Sequence, residues 1–127
     1  MITLEKKILI VDEHGFSRIC AALLKSCGYQ SVVVTLLEEL SEKIKGSTFD
    51  LVVTSYPYGT ALFESMLTQN IPTIILTDGI DERLMSILNN HQHSFCMIKP
   101  VDYDKFRSTV RQAVERTLQF EGGYCIV

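Results

Sequence analysis

The sequence has four cysteines, Cys20, Cys27, Cys96 and Cys125, and no Cys-x-x-Cys pair. That absence argues against zinc-ribbon and dithiol chemistry, and a chain of 127 residues can fold without disulfides. Reduced thiols in a cytoplasm are the expected state. No apolar run approaches the ~20 residues of a membrane span. The stretch after Lys6-Lys7 is short and runs into Asp12, so it lacks the layout of a signal peptide. There is no basic excess either: the net charge is −3, which excludes a basic field recruiting nucleic acid. The glycines form neither a phosphate loop nor a dinucleotide fingerprint. No repeat, low-complexity run or internal linker divides the chain. Its 46% apolar and 21% charged residues are those of one ordinary domain.

What the chain does have is alternation. Lys7-Ile8-Leu9-Ile10-Val11-Asp12, Ser31-Val32-Val33-Val34-Thr35, Asp50-Leu51-Val52-Val53-Thr54-Ser55, Pro72-Thr73-Ile74-Ile75-Leu76-Thr77 and Phe95-Cys96-Met97-Ile98-Lys99 are short and apolar on successive residues. That pattern marks strands covered on both faces. Helical segments lie between them. Ile19, Cys20, Leu23, Leu24 and Cys27 form one apolar stripe, stopped by Gly28. Further segments are expected over about 36–45, 60–69 and 81–90. In a fifth segment, Tyr103, Phe106, Val110, Ala113, Val114 and Leu118 share a face, with Asp102 as N-cap.

Five strands alternating with five helices predict an α/β, doubly wound, five-stranded parallel sheet with helices on both faces. The domain is expected over 1–121, and 122–127 read as a flexible tail. In such sheets function gathers at the carboxyl ends of the strands. Those ends carry Asp12 and Glu13, Ser55, Thr77 and Lys99.

These pieces, in this order, resemble the receiver domains of bacterial response regulators over roughly residues 5 to 120. Ile8-Leu9-Ile10-Val11-Asp12-Glu13 is similar to their first strand with its acidic pair. Arg18 and Leu23-Leu24-Lys25 with Gly28-Tyr29 resemble the first helix and its exit. Phe49-Asp50-Leu51-Val52-Val53 resembles the opening of the third strand, Ile71-Pro72-Thr73-Ile74-Ile75-Leu76-Thr77 the fourth strand with its hydroxyl, and Ile98-Lys99-Pro100 the fifth with its lysine. The resemblance implies a flavodoxin-like strand order 2-1-3-4-5. It also implies phosphoryl transfer: a carboxylate ending the third strand takes the phosphoryl group, magnesium on three carboxylates neutralises charge, and the lysine and hydroxyl bind the phosphoryl oxygens.

The sequence departs from that pattern in four places. Ser55 stands at the acceptor position, and a serine hydroxyl is a weak nucleophile without a positioned base. Asp50 cannot replace it, since five strand residues put it about 16 Å away. The loop after the acceptor is short, with Pro57 and Gly59 only two and four residues on. Asp78 follows Thr77 and would repel an incoming phosphoryl group. Cys96 occupies the switch position, where many receivers keep a rotating aromatic; Phe95 beside it points to the opposite face.

Blander readings stand beside these. Asp12 and Glu13, short of a third carboxylate, read as a polar remnant holding weak magnesium at best, with no other cofactor. Lys99 pairs structurally with Asp12, and Thr77 satisfies a strand end. His91 and His93 lack a third ligand in view and read as surface residues; His14 has only its place near the cleft to suggest a role. Cys20 and Cys27 read as core. In receivers the fourth helix, fifth strand and fifth helix dock partners. Asp81 and Glu82 on the predicted fourth helix, with Arg107, Arg111 and Glu115 on the fifth, are therefore the expected partner face, complementary across a two-fold axis in a homodimer.

The reading that results is a non-enzymatic pseudo-receiver in two-component (phosphorelay) signalling. It is expected to be cytoplasmic and to act as a phosphorylation-independent interaction module toward another signalling protein or an effector domain, with no membrane or nucleic acid bound. The alternative is a small-molecule or nucleotide sensor using the vacated cleft.

Overall fold

The computed structural model describes residues 6–44, 48–59, 71–90, 93–115 and 124–127. Six strands form one parallel sheet in the order β2-β1-β3-β4-β5-β6. They are β1 (Lys7–Val11), β2 (Gln30–Val34), β3 (Leu51–Tyr56), β4 (Thr73–Thr77), β5 (Ser94–Ile98) and β6 (Tyr124–Ile126). The five expected strands are present in the expected order. The sixth corrects the sequence reading: the stretch expected to be a flexible tail pairs in parallel with β5, Phe95 opposite Cys125 and Cys96 opposite Ile126, and Val127 N–H donates to the Cys96 carbonyl at 2.9 Å. Without β6 the β5 edge would expose a row of unpaired backbone groups, and three residues are enough to cover part of it.

The described helices are α1 (His14–Ser26), a 3₁₀ turn (Leu37–Glu39) leading into α2 (Leu40–Ile44), α3 (Glu82–Asn90) and α4 (Tyr103–Glu115). α3 and α4 are thus the fourth and fifth helices of the sequence reading; the segment expected over 60–69 lies outside the described residues, as do Leu118 and His91. The end of α1 shows why Gly28 is there. Tyr29 N–H bonds the Leu24 carbonyl and Gly28 N–H the Lys25 carbonyl, each at 3.0 Å, with Gly28 at φ +89°. This is a Schellman closure, and its left-handed position favours glycine. Asp102 caps α4 as expected, accepting from Lys105 N–H at 3.1 Å.

Strand residues alternate between two apolar layers. Ile8, Ile10, Leu51, Val53, Ile74, Leu76, Phe95 and Met97 face α1 and α4, meeting Cys20, Leu24, Phe106 and Val110. On the other face Leu9, Val11, Val34 and Val52 pack with Leu40 of α2, while Ile75 and Cys96 pack with Leu84 and Leu88 of α3. Burial on both faces is what the unbroken apolar runs predicted. Two positions differ: Ile19 is 45% exposed and Tyr103 46% exposed, so neither belongs to its helix's buried stripe. No described helix is long and apolar enough to cross a membrane.

Candidate functional site

The parallel register carries the ends of β1, β3, β4 and β5 to one edge. Val11 lies opposite Thr54, Tyr56 opposite Thr77, and Thr77 opposite Ile98. The next residue of β1 is Asp12, and Ser55 of β3 sits beside it. Ser55 donates its hydroxyl to Asp12 Oδ1 at 2.7 Å, and Glu13 N–H donates to the same oxygen at 2.8 Å. Both side chains are nearly sealed from solvent, Asp12 at 1% and Ser55 at 3% exposure. Ser17 fixes the Asp12 backbone, its hydroxyl donating to the carbonyl at 2.9 Å. Thr54 crosses to β1 in the same way, donating to the Val11 carbonyl at 2.7 Å. Asp12 Oδ2 is buried and has no hydrogen-bond partner among the described residues.

The serine thus has a carboxylate on its hydroxyl, a base that sequence reading did not find. It is still poorly placed for transfer. The hydroxyl is buried and closed off from an incoming donor. Asp50 lies at the far end of the sheet, where it accepts from Lys7 N–H at 2.9 Å, as expected for a residue that opens β3.

The other expected cleft residues are placed less simply. Lys99 follows β5 and its N–H donates to the Thr77 carbonyl at 2.8 Å. Its ammonium makes no ion pair with Asp12: among the described residues the ion pairs are Lys43–Glu39 and Arg107–Asp104. The expected Lys99–Asp12 pair is therefore corrected; Asp12 is held by a neutral hydroxyl and a backbone amide instead. Thr77 is buried, and its hydroxyl donates to the Gly79 carbonyl at 2.6 Å, closing the turn after β4. Its strand-end role is the one observed. Asp78 and Glu13 are exposed at the rim. A receiver's magnesium site fits this donor set poorly. One sealed carboxylate, one exposed carboxylate and a hydroxyl stand where three carboxylates are required, and the described residues hold no cluster of three His, Cys, Asp or Glu able to bind a metal.

Two tyrosines that sequence reading passed over flank the site. Tyr58 reaches back across the cleft and donates its hydroxyl to the Thr35 carbonyl beyond β2. Burial pushes its phenol pKa up, and the charges of Asp12, Glu13 and Glu38 push it further. Tyr56 points to the other face, packs on the Ile75–Leu84–Leu88–Cys96 cluster and donates to Asp81. Their position on either side of Pro57, directly after the acceptor, was the available signal. The short loop is explained by Gly59: its N–H bonds the Ser55 carbonyl at 2.7 Å, and a Cβ there would stand 2.0 Å from Thr54 Oγ1.

Cys96, at the expected switch position, is fully buried beneath α3, and burial raises its thiol pKa. The expected partner face divides. Asp81 is the N-cap of α3, accepting from Leu84 N–H at 2.8 Å; that amide, then Tyr56 and nearby Arg83, holds its carboxyl below the usual range. Glu82 is exposed in the first turn. Arg107 is paired with Asp104 on its own helix. Arg111 and Glu115 lie beside Tyr29 at the α1–β2 corner, away from α3. β5 is interior rather than at the edge.

No protein-family model matches the sequence, and no curated protein is significantly similar to it. Solved structures do match. A CheY-like response regulator receiver domain from Methanospirillum hungatei superposes with a TM-score of 0.76 at 21% identity, covering 89% of this chain and 96% of that one. A two-component response regulator from Clostridium difficile gives 0.76 at 20% identity, covering 91% and 100%. The beryllofluoride-activated NtrC4 receiver domain, a dimer in solution, gives 0.73 at 21% identity, covering 88% and 98%. At these identities the likeness is one of fold, and the fold of this chain is that of the response-regulator receiver domains.

Proposed function

We propose that this chain is a pseudo-receiver: a cytoplasmic, non-enzymatic module of two-component signalling that binds another signalling protein or an effector domain without being phosphorylated. The observation that carries this reading is the Ser55–Asp12 bond. The position where a receiver needs an exposed carboxylate is filled by a buried hydroxyl. That hydroxyl is committed to the neighbouring acid, and Asp78 adds negative charge at the rim. A phosphate ester formed there would also lack the lability of an acyl phosphate, so the switch would not reset. The receiver fold supports the signalling context. A homodimer is compatible with it through an edge made by β6 instead of β5.

Intact-mass measurement after incubation with acetyl phosphate and magnesium tests the reading. The expected result is an unchanged mass. A gain of one phosphoryl group overturns it.

A second reading, the small-molecule or nucleotide sensor, has one observation in its favour: the buried Asp12 Oδ2, without a hydrogen-bond partner among the described residues, is an acceptor available to a ligand's donor. A panel of nucleotides raising the melting temperature, with the rise lost in Asp12→Asn, would favour it over the interaction module.

A further inference from the structure

The usual aromatic rotor is absent at Cys96, yet an aromatic still joins the acceptor position to the helix beyond it. Tyr56 is the residue after Ser55, so any rotation of the β3 end that repositions Ser55 also moves Tyr56, on the opposite face. Its ring packs against Ile75, Leu84, Leu88 and Cys96. Its hydroxyl lies 3.0 Å from both Asp81 carboxylate oxygens. Asp81 in turn caps α3 twice, its side chain accepting from Leu84 N–H at 2.8 Å and its carbonyl from Met85 N–H at 3.0 Å. Ser55, Tyr56, Asp81 and the first turn of α3 thus form one unbroken chain of covalent and hydrogen-bonded links.

We propose that Tyr56 is a relay: it transmits the state of the Asp12–Ser55 pair to the N-terminus of α3, and its hydroxyl holds that helix in one position while the pair is intact. The inference extends the pseudo-receiver reading by naming how an event in the cleft reaches the surface, whatever that event is. It needs only that β3 and α3 are coupled. The bond is broken by removing one oxygen, which leaves the packing of the ring in place.

The experiment is amide NMR on the full chain. Ser55→Ala and Ser55→Asp are each made alone and together with Tyr56→Phe; the alanine variant secures the test if the aspartate variant folds poorly. In the Tyr56 background both substitutions are expected to shift the Leu84 and Met85 amides. With Tyr56→Phe those shifts fall to less than about a third. Tyr56→Phe by itself is expected to speed hydrogen exchange at Leu84 and Met85 about threefold to tenfold, in line with the loss of one solvent-exposed hydrogen bond. Phe106, whose N–H is held by the Asp102 carbonyl at 2.8 Å, is the control and should not change. Equal shifts at Leu84 and Met85 in both backgrounds, or unchanged exchange there, would overturn the relay. The mass measurement is unaffected by either result, so failure of the relay and failure of the pseudo-receiver reading are distinguishable.

Discussion

Restoring a carboxylate at the acceptor position tests the site most directly, and the structure sets the size of the effect. Ser55→Asp removes the hydroxyl that donates to Asp12 Oδ1 at 2.7 Å and puts a second acid within a few ångströms of the first. Loss of the donor leaves a buried acceptor short of one partner, which costs about 1–3 kcal/mol. Two like charges about 4 Å apart repel by roughly 4 kcal/mol at an effective dielectric constant of 20. The domain can escape that repulsion by protonating the introduced carboxyl. From an ordinary value of about 3.9, this costs about 4 kcal/mol at pH 7. Both routes point to a loss of about 4 kcal/mol or more, and Lys99 forms no ion pair with Asp12 that would offset it. Against a typical stability of about 5–15 kcal/mol this is a large fraction. The sign with pH follows from linkage. The introduced acid has a folded pKa above its unfolded one, so the folded state binds the extra proton, and stability rises as pH falls through that window. Urea melts at pH 7 and pH 5 should show the gap between the two proteins narrowing at the lower pH, and magnesium at pH 7 should recover part of it. If Ser55→Asp is as stable as the parent at pH 7 without metal, the Ser55–Asp12 contact and the strand register behind it are wrong.

Magnesium should raise the melting temperature only at or above about 1 mM, since one sealed and one exposed carboxylate make a poor oxygen site; a clear shift at micromolar metal would refute the donor count. Gly59→Ala should destabilise the domain by about 1–3 kcal/mol, because the new methyl would stand 2.0 Å from Thr54 Oγ1; denaturant melts measure it, and a neutral result would mean that the loop relaxes freely. Iodoacetamide should label exposed Cys125 first. Buried Cys96 and Cys20 should react only on unfolding, Cys20 most slowly, its thiol pushed up to about 12 by burial and then by Asp12. Peptide mapping over time reads the order, and early labelling of Cys20 would contradict the packing of α1.

The strands and their order were legible because burial on both faces writes a run of apolar residues that needs no alternation to be recognised. Ser55 was placed by the same means: once Leu51–Val53 is a strand, the fifth position is set by counting. What the sequence could not show is which side-chain atoms meet. Lys99 and Asp12 both stand at the carboxyl edge of the sheet, but on strands separated by β3 and β4, and a flexible four-carbon stem does not make a pair of them. Asp81 read as a surface charge because capping depends on the exact helix start, which periodicity locates only to within a residue or two. Arg111 and Glu115 share the polar side of α4, yet only the packing of that helix decides that they turn toward Tyr29. The final strand was missed for a different reason. Tyr124-Cys125-Ile126 is too short to carry a pattern, and it follows two glycines that read as the end of order.

That short strand changes how the molecule can meet its own copies. An edge of five or six open residues is a template on which another chain can build, and the β5 edge would be one. With β6 laid along it, the outermost strand offers only three residues, with the next sheet position displaced outward by about 4.8 Å. On this side, sheet extension from one molecule to the next is discouraged, because a new strand would have a small foothold. An assembly that used this side would have to be built from side chains rather than from a shared ladder of peptide bonds. A strand of three residues thus blunts one of the two edges of the sheet, the other being β2.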